Sequence, residues 1–392
     1  MNGLRTILET WHGTGYPHPD AVLATVVHVK GSAYRRPGAR MLIFADGKRI
    51  GTISGGCLEG EVVKKAAWWT SNEPVALRSF DSSFEGAAWD FGLGCNGVIS
   101  VLLERADASG IHRLFDFLRT QQVNREETVI ATVIRVNENP PHRLGDRAWW
   151  DGREVAGGNL CNTRLAADLS AYIEQCFAER ESRLVHLADA DVFVEWIGPP
   201  QRLVLFGGGH DVLPLVKIAN LMDWSVTVAD GRTAYIGANR FPEADNTLVI
   251  PANGDISQVD IDRDTAVVMM THNYPQDMLL LPQILAKKPR YFGILGSSLR
   301  TENLFADVNE DISKFENVYA PVGLDIGTDH PETIALSIVA EIQSVLAKRP
   351  AGSLRHRNAG IHDPVMEVGL TDKLGTYRDE TVLAVCELSQ SI

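Results

Sequence analysis

Two cysteines of this 392-residue chain lie in glycine-rich turns, Gly55-Gly56-Cys57 and Gly92-Leu93-Gly94-Cys95-Asn96-Gly97. Glycines without a Cβ let a ligand approach the backbone closely. Behind Cys57 the apolar residues Val62, Val63, Ala66, Ala67 and Trp69 recur at helical spacing, which predicts a helix over residues 58–69. The free N–H groups and dipole of a helix start favour an anion and lower the pKa of a thiol there. Cys57 therefore reads either as a reactive thiol beside an anion cradle or as a small packed residue in a glycine turn. The run around Cys95 has the same two faces, a functional loop or a bulge at a strand entry. Just upstream, Arg35, Arg36 and Arg40 can clamp a phosphate, since guanidinium binds oxyanions through paired hydrogen bonds. Each of them taken singly also reads as a solvated surface arginine.

A second constellation begins at Arg202-Leu203-Val204-Leu205-Phe206, which runs into Gly207-Gly208-Gly209-His210. An apolar helix over 212–222 and a strand over 225–229 follow, ending at Asp230. Strand, glycine turn, helix, strand and an acidic residue roughly twenty positions on make the dinucleotide-binding pattern. Val212 stands where the third glycine of that pattern belongs. On this reading Asp230 accepts hydrogen bonds from a ribose. Later apolar strands end at Thr271-His272 and at Gly296-Ser297. In an open α/β sheet such strand ends are the ligand edge, which groups Gly207, Gly208, Gly209, His210, Asp230, His272, Gly296 and Ser297. His210 and His272 also read as structural loop histidines.

The elements that must position these residues are legible from pattern. Apolar residues flank Asp46-Gly47, a signal for a hairpin closed by a type I′ turn. Residues 127–198 repeat residues 20–105 in weakened form: Val22 to Val29 matches Val129 to Val136, and Gly38-Ala39-Arg40 matches Gly145-Asp146-Arg147. Asp46-Gly47-Lys48 matches Asp151-Gly152-Arg153, and Gly55-Gly56-Cys57-Leu58 is paired with Gly157-Gly158-Asn159-Leu160. An internal duplication follows, with the chemistry in the first copy and scaffolding in the second. Ile197-Gly198-Pro199-Pro200 marks a domain boundary. The expected class is α/β: an α+β domain over 1–198 with halves at 20–105 and 127–198, a Rossmann-like doubly wound parallel sheet over 199–350, and a tail over 351–392. In that tail Thr381 to Leu388 reads as a strand.

Composition narrows the partners. A net charge of −13 argues against nucleic acid and anionic membrane surfaces. No apolar run is long enough to span a bilayer, and the N-terminus lacks the apolar core of a signal peptide. The five cysteines (57, 95, 161, 176 and 386) are scattered, without a CxxC or a zinc-ligand spacing. The expected compartment is a reducing cytoplasm.

Taken together the chain resembles the XdhC/CoxI family, maturation factors of xanthine dehydrogenase and carbon monoxide dehydrogenase. Gly31 to Met41, Gly51 to Glu59 and Gly92 to Gly97 carry the resemblance in the first half. Phe206 to His210, Asp230 with Arg232, Thr271-His272, Gly293 to Ser297, Pro321 to Gly327 and Pro331 to Glu341 carry it in the second. Asn96 and Val212 depart from the family's usual small residues. The resemblance implies an N-terminal XdhC/CoxI domain and a C-terminal Rossmann domain. It implies binding of the molybdenum cofactor, as molybdopterin or its dinucleotide form, and its delivery, sulfurated, to a xanthine dehydrogenase-type molybdenum hydroxylase. A cofactor sulfurase and a homodimer belong to the same expectation. A pterin with a phosphate and a sulfur-held metal calls for a glycine cradle (Gly55, Gly56), arginines (Arg35, Arg36) and soft thiolates, here Cys57 and Cys95 as metal ligands. Two other functions compete: an NAD(P)-dependent oxidoreductase using the Gly207 turn and Asp230, with NAD(P) or another nucleotide bound, and a scaffold that only docks a partner enzyme.

Overall fold

The computed structural model describes residues 3–13, 18–81, 97–106, 110–137, 141–237 and 239–369, and for Cys57 the backbone alone. It divides into two compact units, Met1–Pro199 with Arg357–Ile392, and Pro200–His356.

The first unit opens with α1 (Leu4–Trp11), β1 (Val22–Gly31), the hairpin β2 (Arg40–Ile43) and β3 (Arg49–Gly51), then α2 (Cys57–Trp69), β4 (Val75–Asp81) and β5 (Gly97–Arg105). After α3 (Ile111–Asn124) the series repeats: β6 (Thr128–Val136), β7 (Arg147–Trp150), β8 (Val155–Gly158), α4 (Arg164–Glu179), β9 (Arg183–His186) and β10 (Ala190–Ile197). The first sheet has the order β3-β2-β1-β5-β4, and the second has β8-β7-β6-β10-β9. The duplication read from sequence is thus a duplication of topology. The second sheet carries one strand more, β17 (Met366–Gly369), which returns from the far end of the chain and pairs parallel with β9.

The central strands are apolar on both faces because each sheet is covered on both. Val22, Ala24 and Val26 of β1 pack with Leu58, Val62 and Ala66 of α2. Val129, Ala131 and Val133 of β6 pack likewise with Leu165, Leu169 and Ile173 of α4. The alternate residues turn to the other half: Leu23 and Leu42 meet Ile130 and Trp149, and Val27 and Leu102 meet Ile134 and Phe193. Layering is therefore helix, sheet, sheet, helix.

Two buried ion pairs cross between the halves with the same pseudo-symmetry. Arg40 Nη1 donates to Glu195 Oε1 at 2.8 Å, and its Nη2 bonds the other oxygen of that carboxylate. Arg147 Nη2 donates to Glu104 Oε1 and Oε2 at 2.7 and 2.8 Å. Glu104 stands opposite Leu23 and Glu195 opposite Ile130, so the four residues are two equivalent pairs. Arg40 is thereby a structural residue and leaves the phosphate clamp read from sequence.

The hairpin at Asp46-Gly47 forms, but only Gly47 has positive φ (83°). Its turn is therefore not type I′. The Asp46 carboxylate accepts from Lys48 N at 2.9 Å and holds the chain in a longer loop.

In the second unit the strands are β11 (Arg202–Phe206), β12 (Ser225–Asp230), β13 (Asn246–Val249), β14 (Ala266–Met269), β15 (Tyr291–Ile294) and β16 (Val318–Tyr319). The helices are α5 (Val212–Leu221), α6 (Tyr274–Lys287), α7 (Ser298–Asp307) and α8 (Pro331–Leu346). All six strands are parallel, in the order β13-β12-β11-β14-β15-β16. This is the doubly wound Rossmann arrangement, whose strand order reverses between β11 and β14. Apolar cores lie on both faces of the sheet, one against α5 and α8 and one against α6 and α7. Among the described residues, no helix is long and apolar enough to cross a membrane.

Candidate functional site

One edge of the first sheet gathers three loops. Gly31 at the end of β1 pairs with Gly97 at the start of β5, Val98 pairs with Asp81 at the end of β4, and Gly51 at the end of β3 pairs with Met41. The segments 32–39, 52–56 and 82–96 all leave from this edge. The first holds Arg35, which is half-buried, and Arg36, which is exposed. The second holds Gly55 and Gly56, both exposed. Cys95 belongs to the third and lies outside the described residues, as do Gly92 and Gly94.

Glu59 fixes the second loop. It occupies the third position of α2, is 6% exposed, and accepts from Ile53 N at 3.0 Å and Ser54 N at 3.2 Å as well as from the Thr52 hydroxyl. A glutamate that reaches back from the first turn is a capping device, and its sequence position is the signal by which it is found. The Ser54 hydroxyl accepts from Gly56 N at 3.3 Å. Gly56 then enters the helix at φ 132°, a backbone conformation that an L side chain rarely adopts, and a Cβ there would meet nothing within 4 Å. The backbone at Gly56 is open to solvent and held by buried bonds, with the start of α2 immediately behind it. Tyr34 borders the loop: its ring lies 3.7 Å from where a Gly55 Cβ would stand, and its carbonyl accepts from His362 Nε2 at 3.3 Å. Arg35 and Arg36 thus share a sheet edge with Gly55, Gly56 and Cys57.

The second half ends this edge differently. Gly158 pairs with Ala148 as Gly51 pairs with Met41, and both glycines have positive φ (106° and 82°). A Cβ on either would strike a backbone carbonyl, Arg147 O at 2.2 Å or Arg40 O at 2.4 Å. Gly158 is therefore the counterpart of Gly51, not of Gly56, which shifts the sequence pairing. Counting on from it, Thr163 takes the place of Gly56 and Arg164 that of Cys57. Thr163 caps α4 by accepting from Ala166 N at 3.3 Å, so this helix start is closed by its own side chain. Cys176 is buried, donates to Glu181 O at 3.0 Å, and burial pushes its thiol up to about 12. Burial also raises Cys161.

In the second unit, the expected residues do reach the carboxyl edge of the sheet. Their roles are mostly internal. Gly207 has φ 127°, and a Cβ on it would meet Met270 O at 2.3 Å; one on Gly208 would meet Tyr235 O at 2.5 Å. These glycines are demanded by the protein's own backbone. Asp230 is fully buried and its carboxylate accepts from Gly208 N (2.7 Å), Arg232 N (2.8 Å), Arg232 Nε (2.9 Å) and Arg232 Nη2 (2.7 Å). Four donors fill a carboxylate. Asp230 thus anchors the glycine turn and Arg232, rather than standing ready for a ribose. Burial alone would raise its pKa, but the Arg232 side chain and the two backbone N–H groups outweigh it, and the carboxyl sits below its ordinary value. The Arg232 guanidinium so fixed stacks on Tyr235, 4.0 Å from the ring centre.

His272 is exposed at the end of β14 with φ 53°, and its Nε2 donates to Asp211 Oδ2 at 2.7 Å. That bond joins the loop after β14 to the loop after β11, at the point where the strand order reverses. His210 is exposed beside it. Ser297 caps α7 by accepting from Arg300 N at 3.3 Å, directly after Gly296 at φ 142°. Sequence reading missed Asp277, a buried carboxylate that accepts from the Thr271 hydroxyl and from Arg300 Nη2 at 2.5 Å, tying the β14 and β15 loops together. No local pattern marks Asp277, because its partners come from two other elements. Among the described residues no three His, Cys, Asp or Glu side chains converge as metal ligands would.

Known proteins fit both units. The family described as XdhC and CoxI family matches residues 18–81, and that described as XdhC Rossmann domain matches residues 203–342. A Bacillus subtilis (strain 168) protein, named as a probable xanthine dehydrogenase subunit, is 32% identical over 328 residues, spanning 82% of this chain and 92% of its own length. The Escherichia coli (strain K12) protein named molybdenum cofactor insertion chaperone PaoD is 24% identical over 331 residues, 83% of each chain. A Bacillus halodurans crystal structure titled as a xanthine dehydrogenase superposes with a TM-score of 0.73 at 31% identity, covering 90% of this chain and 98% of that one. Two family signatures in chain order and relatives matched along nearly their whole length carry the conclusion that this chain belongs to the XdhC and CoxI family.

Proposed function

We propose that this chain binds the molybdenum cofactor, in its mononucleotide or dinucleotide form, and delivers it sulfurated to a xanthine dehydrogenase-type molybdenum hydroxylase, receiving the sulfur from a cofactor sulfurase. The observation that carries the reading is the loop at Gly55-Gly56. It is open to solvent, pinned from beneath by Glu59, backed by a helix start, and on the same sheet edge as Arg35 and Arg36. Helix-start N–H groups and guanidinium are what a phosphate-bearing pterin requires. Cys57 stands at the first helical position, and with Cys95 it would present thiolates to a soft metal–sulfur centre. PaoD, matched over 83% of each chain, bears the name of a molybdenum cofactor insertion chaperone. In the second unit, taken by itself, Gly207, Gly208, Gly209, His210, His272, Gly296 and Ser297 lie on the carboxyl edge of the sheet, where doubly wound folds take a nucleotide. The rival oxidoreductase reading needs Asp230 as a ribose acceptor, and Asp230 is filled by Gly208 and Arg232.

Purification of the full chain from cells that make the cofactor, followed by molybdenum and pterin assay, tests the reading. Both should co-purify, and Cys57→Ser should lose the molybdenum while keeping its thermal unfolding temperature. Wild-type protein free of pterin under these conditions would refute cofactor binding. Equal molybdenum in wild type and Cys57→Ser would remove the thiol from the account.

A further inference from the structure

The pseudo-symmetry of the first unit exposes one asymmetry that the proposed function does not use. Strand β9 closes its side of the second half only until β17 is added: Met366 pairs with Arg183, Glu367 with Leu184, Val368 with Val185 and Gly369 with His186. Its counterpart in the first half is β4. Leu77 stands opposite Leu102 as Leu184 stands opposite Phe193, so Ala76, Leu77, Arg78 and Ser79 are the equivalents of the four residues that β17 pairs. Among the described residues β4 pairs with β5 alone and ends its sheet. A bare strand edge presents a row of unpaired N–H and C=O groups and is a template for another strand.

At that edge lies a groove of about 510 Å³, lined by Trp68, Trp69, Ala76, Leu77, Arg78 and Leu144 among others. Its two walls belong to opposite faces of the sheet. Trp69 is part of the core under α2, whereas Leu77 and Leu144 pack in the core between the halves. Trp68 is 66% exposed. A strand seated here would be covered on both faces, which selects a sequence apolar on both faces instead of an alternating one.

We propose that residues 381–388 of this same chain, Thr-Val-Leu-Ala-Val-Cys-Glu-Leu, add to β4 as β17 adds to β9. Three observations select this occupant. The equivalent edge already takes a C-terminal strand of this chain, Met-Glu-Val-Gly, with one carboxylate among small and apolar residues. Segment 381–388, which lies outside the described residues, repeats that character in sequence over twice the length, with Val382, Ala384, Cys386 and Leu388 at one set of alternate positions and Leu383 and Val385 between Thr381 and Glu387 at the other. The linker also reaches: extended, residues 370–380 span about 36–40 Å, against roughly 19 Å for the four strand spacings of the first sheet and about 10 Å between stacked sheets.

Hydrogen exchange of the β4 amides decides the matter, compared among the full chain, a chain ending at Glu380, and Val385→Pro, which keeps the chain's length but breaks strand pairing. In the full chain the residue 76–79 amides that point away from β5 should exchange slowly, and this protection should persist on dilution. In both variants they should exchange at least about tenfold faster, as an unpaired edge does, while β9, still covered by β17, is unchanged. The same rate in all three proteins overturns the proposal, whether fast, with the edge bare, or slow, with a second copy or another segment on it. Protection that fades on dilution overturns donation within one chain.

Discussion

The two halves of the first unit share strand order, buried ion pairs and a positive-φ glycine at the same register, yet they treat the start of their helix in opposite ways. In the second half Thr163 closes the helix start with its own hydroxyl, and Asn159 ties the preceding loop back to Arg147 N at 2.7 Å. In the first half Gly56 has no side chain to cap α2, its own N–H donates to the Ser54 hydroxyl, and Glu59 supports the loop from below. One helix start is closed by the side chain of its own cap residue, and its counterpart at Gly56 has no side chain to close it. The same contrast separates the glycines of the two units. Gly207 and Gly208 are approached by the protein's own carbonyls, whereas among the described residues nothing stands within 4 Å of a Cβ at Gly56. A glycine-rich turn signals close approach, but the sequence does not say what approaches.

Thiol chemistry gives the widest expected difference between the halves. At pH 7.5 iodoacetamide should modify Cys57 much faster than Cys176, whose thiol burial pushes up to about 12 so that it holds almost no thiolate. Comparable rates by peptide mass spectrometry would make the Cys57 turn as inert as its twin helix. Next come the shared ion pairs. Arg40→Ala and Arg147→Ala should each destabilise the first unit by about 3–5 kcal/mol, since each strands a buried glutamate. Urea titration of the two variants should give nearly equal losses, and a large inequality would break the pseudo-symmetry as an energetic statement. Removing the carboxylate in Glu59→Ala should cost about 1–3 kcal/mol through the donors left unpaired. It should also lower cofactor retention, a readout that a support confined to stability would leave alone. Thr163→Ala is the mildest case, about 1 kcal/mol for a lost cap, with cofactor retention intact. Loss of retention there would place chemistry in the second half.

Sequence by itself determined the class, the duplication and the sheet-edge residues, because these rest on period and order. Apolar residues every second or every third to fourth position, glycine at a strand end and an acidic residue about twenty positions on are local facts. The helix start at Cys57 falls within a residue of where pattern puts it. What tertiary structure alone decided is which of those residues are still available. Arg40 read as part of a phosphate clamp until a glutamate 155 residues away claimed it. Asp230 matched a ribose acceptor until Arg232 folded back onto it and the N–H of Gly208 met it from the neighbouring strand end. Gly158 matched Gly56 until strand register made it Gly51. In each case the deciding partner arrives through strand pairing or sheet stacking. A polar group taken from water must find its partner in the folded chain, and sequence distance does not measure which partner comes within reach.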